Sequence, residues 1–225
     1  MKETKKIRVK VKKRKINIKK ILIFILLIVL LYNLIYFIIN IKIKNIYIIN
    51  NNIISDKEII ELSKLKDYPP YLKTLSFKIE KDILKNPYIK EVEVEKKLLK
   101  IYINIKEYKP LAIYNNKILL ENNTLLDNTY NIKGLPIIIN EINTLEFSNN
   151  FSKIDNDILL KISQIEYSPN EVDKERYLLY MNDGNSVYIT LSKITKLNKY
   201  SSIANQMEGK NGIINLDSGD YIELK

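Results

Sequence analysis

The longest apolar run in the 225-residue sequence extends from Ile21 to Ile39. It contains no charged residue, proline or glycine, and its length matches the roughly 20 residues with which a helix crosses ~30 Å of hydrocarbon. Because a helix satisfies its own backbone hydrogen bonds in lipid, the run predicts a transmembrane helix. A cleaved signal peptide is the alternative. Its apolar region would be shorter and followed by small residues, whereas residues 40–44 contain no Ala or Gly.

Beyond this run, the spacing of apolar residues changes between the periods of strands and helices. In order, the pattern predicts a strand at 41–49, an Asn turn at 50–52, a helix opened by a capping box at Ser55 and Glu58, a helix at 76–85, and two strands at 92–94 and 99–105 joined by a turn at 96–98. The order β-α-α-β-β predicts a small sheet with two helices on one face.

After Pro110 the pattern is mostly that of short strands separated by polar turns. It predicts a hairpin at 112–120, a helix at 149–164, a hairpin at 177–191 around Asp183-Gly184, a helix at 192–207 and a final pair of strands at 213–224. The predicted fold class is therefore α+β: a single N-terminal transmembrane helix, a β-α-α-β-β module, and a mostly β domain with a late helix.

Charge is concentrated before the apolar run. Eleven Lys or Arg residues and one acid, Glu3, lie between positions 2 and 20, which accounts for nearly all of the formal net charge of +11. This excess predicts a cytoplasmic N-terminus and a type II single-pass protein whose bulk is extracytoplasmic. It argues against nucleic acid as a partner, because the remaining residues are almost neutral. Anionic lipid head groups or a cytoplasmic protein are the two alternatives for what the tail contacts.

The composition excludes several kinds of catalytic and binding site. The sequence has no Cys and no His, and its five glycines do not form a phosphate-binding loop. We therefore expect no catalytic residues, no metal site and no cofactor. A membrane-anchored hydrolase is the enzymatic alternative, and it would require a convergent set of Ser, Lys or carboxylate residues that the sequence does not reveal.

The order of elements, placed directly after one membrane helix, resembles the POTRA module of the bacterial cell-division family FtsQ/DivIB. Two motifs carry the resemblance: Asn86-Pro87-Tyr88-Ile89 before the hairpin, and Glu107-Tyr108-Lys109-Pro110-Leu111-Ala112 at the exit of the module. There are two departures. The Gly-Asn that follows the first strand in the family is Asn50-Asn51 here, and the Leu-Pro often found in the hairpin is Leu98-Leu99.

The resemblance implies four segments: a basic cytoplasmic tail at 1–20, a transmembrane helix at 21–40, a POTRA domain at 41–108 and an FtsQ/DivIB-type β domain at 109–225. It also implies a non-catalytic scaffold in the cell membrane, located at the division septum, that holds partner membrane proteins for septum formation. The alternative function is a POTRA-containing membrane protein in protein export or envelope assembly.

The last predicted strand is expected at a sheet edge, where unpaired backbone groups accept another strand. The resemblance implies that this edge and the preceding helix bind small bitopic coiled-coil partners of the FtsB/DivIC and FtsL type, and that the POTRA module binds other divisome membrane proteins. The candidate partner-binding residues are Gly219, Asp220, Tyr221, Ile222, Glu223 and Leu224, together with Lys193 and Lys196. The alternative is that Tyr221 covers the sheet and that the charged side chains are solvated.

Overall fold

The computed structural model describes residues 17–224. Its first element is α1 (Ile18–Ile39), a helix of 22 residues whose N-cap, Asn17, accepts a hydrogen bond from the backbone N–H of Lys20. The helix therefore begins before the apolar run itself. Its side chains are exposed, and within residues 17–224 it is the one helix long and apolar enough to cross a membrane, with a mean hydropathy of 3.0. Residues 1–16, most of the predicted basic tail, lie outside the described residues.

The elements that follow α1 confirm the predicted β-α-α-β-β order. They are β1 (Asn45–Ile49), α2 (Asp56–Leu62), α3 (Ser76–Ile83), β2 (Ile89–Lys97) and β3 (Lys100–Glu107). These strands form a sheet in the order β1-β3-β2, in which β1 runs parallel to β3 and β2 runs antiparallel to it. We refer to residues 41–108 as the first module.

The ends of the module's helices agree only in part with the capping predictions. Ser55 accepts from the backbone N–H of Glu58 as predicted, but the Glu58 carboxylate accepts from the Tyr130 hydroxyl instead of closing the box. The helix α3 ends at Ile83, two residues before the predicted end, and its C-cap residue Leu84 is exposed.

Two leucines occupy the turn between β2 and β3 in a conformation that disfavours them. Leu98 has a φ of 48° and Leu99 a φ of 67°. Both values lie in the left-handed region, which a two-residue hairpin turn normally fills with Asn-Gly. For a side chain such as leucine this backbone costs roughly 1–2 kcal/mol per residue.

Replacing Leu98 with Asn and Leu99 with Gly is therefore expected to stabilise the folded protein by about 1 kcal/mol or more, since both new residues tolerate positive φ. Urea denaturation of the detergent-solubilised full chain should show a higher midpoint with an unchanged slope. The matched control introduces leucine at a turn that already has favourable residues: Asn115→Leu with Asn116→Leu, where the φ values are 50° and 61°. This double variant should lower the midpoint. An unchanged midpoint for the Asn-Gly variant would contradict the strain argument.

The rest of the chain forms a nine-stranded sheet with short helices. Its strands are β4 (Pro110–Tyr114), β5 (Lys117–Leu120), β6 (Leu125–Leu126), β7 (Ile137–Ile138), β8 (Ile162–Tyr167), β9 (Arg176–Met181), β10 (Ser186–Thr190), β11 (Gly212–Asn215) and β12 (Tyr221–Leu224). The strand order is β12-β11-β10-β9-β8-β7-β4-β5-β6, which places β12 and β6 at the two edges. We refer to this part as the second module.

The prediction of a single helix at 149–164 is wrong. Instead, α4 (Thr144–Phe151) and α5 (Asn156–Leu159) are separate helices, and residues from Ile162 onward belong to β8. The break occurs at Asp155, whose extended backbone caps α5 and whose N–H donates to the Asn198 side chain. Ile162 and Gln164 of β8 pair with Met181 and Tyr180 of β9, so the residues predicted to end the helix belong to the sheet instead.

The late helix predicted at 192–207 is divided into a 3₁₀ helix (Leu191–Lys199) and α6 (Tyr200–Asn205). Its buried residues Leu191, Ile194, Leu197 and Tyr200 recur every three positions. Three residues per turn is the period of a 3₁₀ helix, so this geometry places all four on one side. They pack against the core beneath the second module's sheet.

The apolar core of the first module continues into the second. Ile118, Leu120 and Leu135 of the second module belong to the same buried cluster as Ile59 and Ile103 of the first. A separate cluster, which includes Phe147, Phe151 and Tyr177, fills the interior of the second module. The boundary between the modules in sequence is therefore not a gap between their cores.

Candidate functional site

The strand β12 lies at one edge of the nine-stranded sheet. It pairs with β11 in an antiparallel register in which Ile214 faces Ile222 and Asn215 faces Tyr221. Within residues 17–224, no strand pairs with its other side. The backbone groups along that side are of the kind that accept an added strand.

The side chains of β12 divide into one that packs inward and others that reach solvent. Ile222 lies over the core beside the buried Ile214. Tyr221 and Leu224 are about half exposed, and the Glu223 carboxylate accepts from the Asn215 amide at 3.2 Å. The predicted edge thus presents one aromatic, one acidic and one aliphatic side chain to solvent.

Gly212 permits the close approach of β12 to β11. A Cβ atom at this position would lie 2.4 Å from the Glu223 carbonyl oxygen and 2.9 Å from the Met207 methyl carbon. The first of these atoms belongs to the backbone and cannot move without moving the strand. The Gly212 N–H donates to the Asn185 side chain at 3.0 Å, which fixes β11 from the other direction.

The loop that leads into β12 is held by a buried ion pair. Arg176 Nε lies 2.7 Å from Asp217 Oδ2, and the two side chains are only 17% and 8% exposed. Burial by itself would raise the pKa of Asp217, but hydrogen bonds from Arg176 and Ser218 and the charge of Arg176 outweigh it and keep that pKa below its usual value. The guanidinium also lies over the Tyr188 ring, 3.7 Å from its centre. The loop is therefore attached to the middle of the sheet.

The two predicted lysines contact this same loop. Lys193 donates its ammonium to the backbone carbonyl of Asp217, and Lys196 pairs with Asp220 at 2.6 Å. Asp220 itself has a φ of 52°, a backbone conformation that aspartate tolerates better than most residues. Both lysines thus bind residues of this loop. Gly219 and Asp220 form the last turn of the loop before β12.

A groove lies between the late helices and β12. It encloses a cavity of about 230 Å³ whose apolar floor includes Ile203, Leu216 and Ile222, and whose rim includes Lys196, Lys199 and Gln206. The groove is continuous with the exposed edge of β12. A peptide that paired with the edge could therefore place alternate side chains in it.

Pattern reasoning missed a polar cluster at the junction of the modules. The Tyr130 hydroxyl donates to Glu58 at 2.5 Å and accepts from the Asn86 amide at 2.7 Å, and the Tyr88 hydroxyl donates to the Asp127 carbonyl at 3.0 Å. Asn86 and Tyr88 were noticed only as a sequence motif. Their partners lie 39 to 44 positions away, which no local pattern indicates.

The second motif likewise has a structural role that depends on residues far away in the sequence. The Glu107 carboxylate accepts hydrogen bonds of 2.9–3.0 Å from the backbone N–H groups of Asn52, Ile53 and Ile54. The Lys109 ammonium donates to the Ile154 carbonyl, and burial lowers the pKa of Lys109. The motif therefore joins the loop after β1 to the end of α4.

The cluster at the junction predicts a pH-dependent contribution to stability. Burial, followed by the hydrogen bond to Glu58, raises the pKa of Tyr130 to about 12. Because the folded-state value exceeds the usual value of 10.0, the contribution is complete below pH ~10 and is lost as the pH rises towards ~12. Tyr130→Phe should lower the free energy of unfolding by ~1–3 kcal/mol at neutral pH and flatten this alkaline loss.

Urea denaturation at a series of pH values would measure this effect. Tyr68→Phe, at an exposed tyrosine, is the control and should behave like the unsubstituted chain. An alkaline loss of equal size in Tyr130→Phe and the unsubstituted chain would exclude Tyr130 as its source.

Within residues 17–224, no group of three or more His, Cys, Asp or Glu side chains is arranged to hold a metal ion.

Comparison with known proteins gives matches to both modules. A sequence profile described as "POTRA domain, FtsQ-type" matches residues 41–108. The cell division protein DivIB of Bacillus subtilis (strain 168) is 34% identical over 195 residues, covering 81% of this chain and 74% of the relative. DivIB of Bacillus anthracis is 31% identical over 191 residues, covering 80% and 72%.

A solved structure of the major extracytoplasmic domain of DivIB from Geobacillus stearothermophilus is also similar. It is 24% identical in sequence, with a TM-score of 0.38, and the match covers 46% of this chain and 96% of that domain.

Proposed function

The chain belongs to the DivIB family of cell-division proteins and has a role in cell division, and on that premise we propose that it is a non-catalytic, single-pass scaffold of the divisome. Its task is to hold partner membrane proteins where the septum forms. The observation that carries the proposal is the edge strand β12 beside an apolar groove, attached to the sheet by the Arg176–Asp217 pair. This arrangement provides binding surface rather than reactive groups.

The membrane topology is the first part of the proposal. The helix α1 spans the cell membrane, and the basic residues of the segment at 1–20 keep the N-terminus in the cytoplasm. The modules at 41–108 and 109–225 then lie outside the membrane, at the septum of dividing cells. The length and apolar character of α1 support its role as an anchor.

The second part concerns the partner at β12. We propose that a strand from a small bitopic coiled-coil protein of the FtsB/DivIC or FtsL type adds to this edge. Main-chain hydrogen bonds would supply affinity, and side chains alternating around Tyr221 and Glu223 would supply specificity. At the groove rim Lys196 is already paired with Asp220, and Lys199 favours an acidic segment on that partner.

The first module offers a second surface, for other membrane proteins of the divisome. Its two edge strands differ in character: β2 carries Glu91, Glu93 and Glu95, whereas β1 exposes Tyr47 and Ile49. Charged edges resist the addition of a strand, so β1 is the edge that we propose for this contact.

A localisation experiment tests the proposal. A fluorescent protein fused to the N-terminus of the full chain should gather at midcell, and a chain ending at Ser218 should reach midcell without retaining the coiled-coil partners there. Because truncation can disturb folding, Tyr221→Asp provides a milder change at the edge. Leu145→Asp, at an exposed apolar residue of α4, is its matched control.

We expect Tyr221→Asp to lose partner retention and Leu145→Asp to keep it. Equal retention in both variants would reject β12 as the binding edge. Uniform membrane fluorescence from a functional full-length fusion would reject the scaffold at the septum altogether.

A further inference from the structure

The strand order of the first module brings its hairpin turn to the end of the sheet nearest to α1. The strands β1 and β3 are parallel and start together, with Asn45 opposite Lys100. The turn that precedes β3 therefore lies at the end where the chain arrives from α1. The backbone N–H of Lys44 donates to the Leu99 carbonyl at 2.8 Å, which ties this turn to the segment leaving the helix.

A second segment, 69–75, lies at the same end. The Ile43 N–H donates to the Pro69 carbonyl, and the Tyr71 N–H donates to the Ile41 carbonyl at 2.8 Å. Because this pairing is antiparallel, the residues after Tyr71 run back towards the end of α1. The contact of the Lys73 ammonium with the side-chain oxygen of Asn40, at 2.8 Å, confirms that direction.

Lys96 joins the turn to this segment. Its ammonium donates to the carbonyls of Tyr71 and Thr74, both at 2.6 Å, and lies 4.1 Å from the centre of the Tyr71 ring. The two segments thus form one surface, which we call the juxtamembrane rim.

The rim combines exposed leucines with a ring of lysines. Leu98 is 91% exposed, Leu72 51% and Leu75 47%. The basic residues around them that remain for lipid are Lys42, Lys44, Lys73, Lys97 and Lys100, of which Lys97 also pairs with Glu95 at 2.6 Å. Apolar side chains surrounded by basic ones are typical of surfaces that lie in the interface of an anionic bilayer.

The strain in the hairpin turn points the same way. Leu98 and Leu99 hold a left-handed backbone that Asn-Gly would adopt with less strain, and Leu98 is 91% exposed among residues 17–224, so it gains little burial there in return. A leucine that is strained and exposed in water gains free energy if the side chain enters an apolar phase. The apolar phase next to the rim is the bilayer that α1 would span.

We propose that the juxtamembrane rim rests on the membrane around the end of α1, with Leu98, Leu72 and Leu75 in the interfacial layer and the lysines on the phosphates of anionic phospholipids. The proposal rests on α1 spanning the membrane. The reach is sufficient, because Lys73, the residue after Leu72, contacts Asn40 at the end of the helix, and the segment from Asn40 to Lys44 extends at most roughly 17 Å at ~3.4 Å per residue. The contact fixes the tilt of the first module against the bilayer.

The absence of tryptophan from the sequence makes a direct test possible. Single Leu98→Trp and Leu72→Trp variants of the full chain would be reconstituted in vesicles of phosphatidylcholine and phosphatidylglycerol, with ordinary or brominated acyl chains. Val172→Trp is the matched control, because Val172 is 96% exposed and lies in the second module. Leu30→Trp, in the middle of α1, reports whether the helix itself is inserted.

We expect brominated lipid to quench Leu30→Trp strongly, Leu98→Trp and Leu72→Trp clearly, and Val172→Trp hardly at all. The emission of the two rim reporters should also shift to the blue relative to Val172→Trp. Replacing phosphatidylglycerol with phosphatidylcholine should reduce their quenching, because the lysines lose their anionic partners.

Rim reporters quenched no more than Val172→Trp, with Leu30→Trp quenched, would overturn the rim proposal and leave the anchor intact. An unquenched Leu30→Trp would overturn the membrane span and the rim together. Quenching that does not depend on phosphatidylglycerol would overturn the role of the lysines.

Discussion

Gly212→Ala is expected to weaken binding of the proposed coiled-coil partner at β12. The added Cβ would lie 2.4 Å from the Glu223 carbonyl oxygen, so β12 has to move away from β11. Overpacking of this kind typically costs ~1–3 kcal/mol, and here the strain falls on the edge that we propose as the binding site. A loss of affinity of tenfold or more is expected, since each ~1.4 kcal/mol corresponds to a factor of ten. Co-purification and titration of the partner in detergent would measure it.

Gly209→Ala is the matched control for this substitution. Gly209 has a φ of 80°, but no atom lies within 4 Å of the position of its Cβ. Alanine at that position introduces backbone strain of roughly 1–2 kcal/mol without displacing β12. The control should be less stable than the unsubstituted chain and should still bind the partner. Unchanged binding by Gly212→Ala would show that the partner does not depend on the position of β12.

Arg176→Ala is expected to produce the largest loss of stability. The substitution leaves the Asp217 carboxylate buried without its counter-charge, which typically costs ~3–5 kcal/mol. It also removes the guanidinium that stacks on Tyr188. Since the pKa of Asp217 is held low by Arg176, its contribution is present above pH ~4 and is lost as the pH falls below that value. The midpoint of urea denaturation at neutral and acid pH would measure both effects.

Two further variants test whether the unpaired buried charge causes this loss of stability. Replacing both partners, Arg176→Met with Asp217→Leu, should recover much of the lost stability, because no charge is then left unpaired. Lys106→Ala removes a solvent-exposed pair with Glu91 and should cost no more than ~1 kcal/mol. An Arg176→Ala variant as stable as Lys106→Ala would show that the loop before β12 does not need the ion pair.

The parts of the fold that could be predicted from sequence were those in which local residues decide the structure. The apolar run that gives α1, the Asn turn after β1, and the alternation in β2 and β3 each depend on residues close together in the chain. The hairpin around Asp183-Gly184 is of the same kind, because glycine supplies the φ of 88° that the turn requires. These elements would be expected from the residues alone.

The secondary-structure predictions were wrong where contacts between distant residues override the local spacing of apolar residues. Residues 154–162 have the spacing of an amphipathic helix, but Ile162 and the residues after it pair with β9. The late helix is confirmed, but the three-residue spacing from Leu191 to Tyr200 makes its first part a 3₁₀ helix, a period close to the 3.6 residues of an α-helix turn. Only the packed core distinguishes the two.

The contacts that build the candidate site could not be predicted from the sequence. The strand β12 lies at a sheet edge and begins at Tyr221 rather than Asp220, while its role as a binding edge stays a prediction. The roles of Lys193 and Lys196 in holding the preceding loop depend on contacts 24 residues away. Arg176 was not noticed at all, since nothing in its neighbourhood indicates a carboxylate 41 positions further along the chain.

The core shared by the two modules has a mechanical consequence. Ile118, Leu120 and Leu135 pack into the first module, and Tyr130 is hydrogen-bonded to Glu58 across the junction. A force applied to β12 would therefore be transmitted through packed side chains to the residues beside α1. The boundary at 108–109 is not a flexible linker that could extend under this force. Under load, a protein packed in this way would keep its two modules at a set separation.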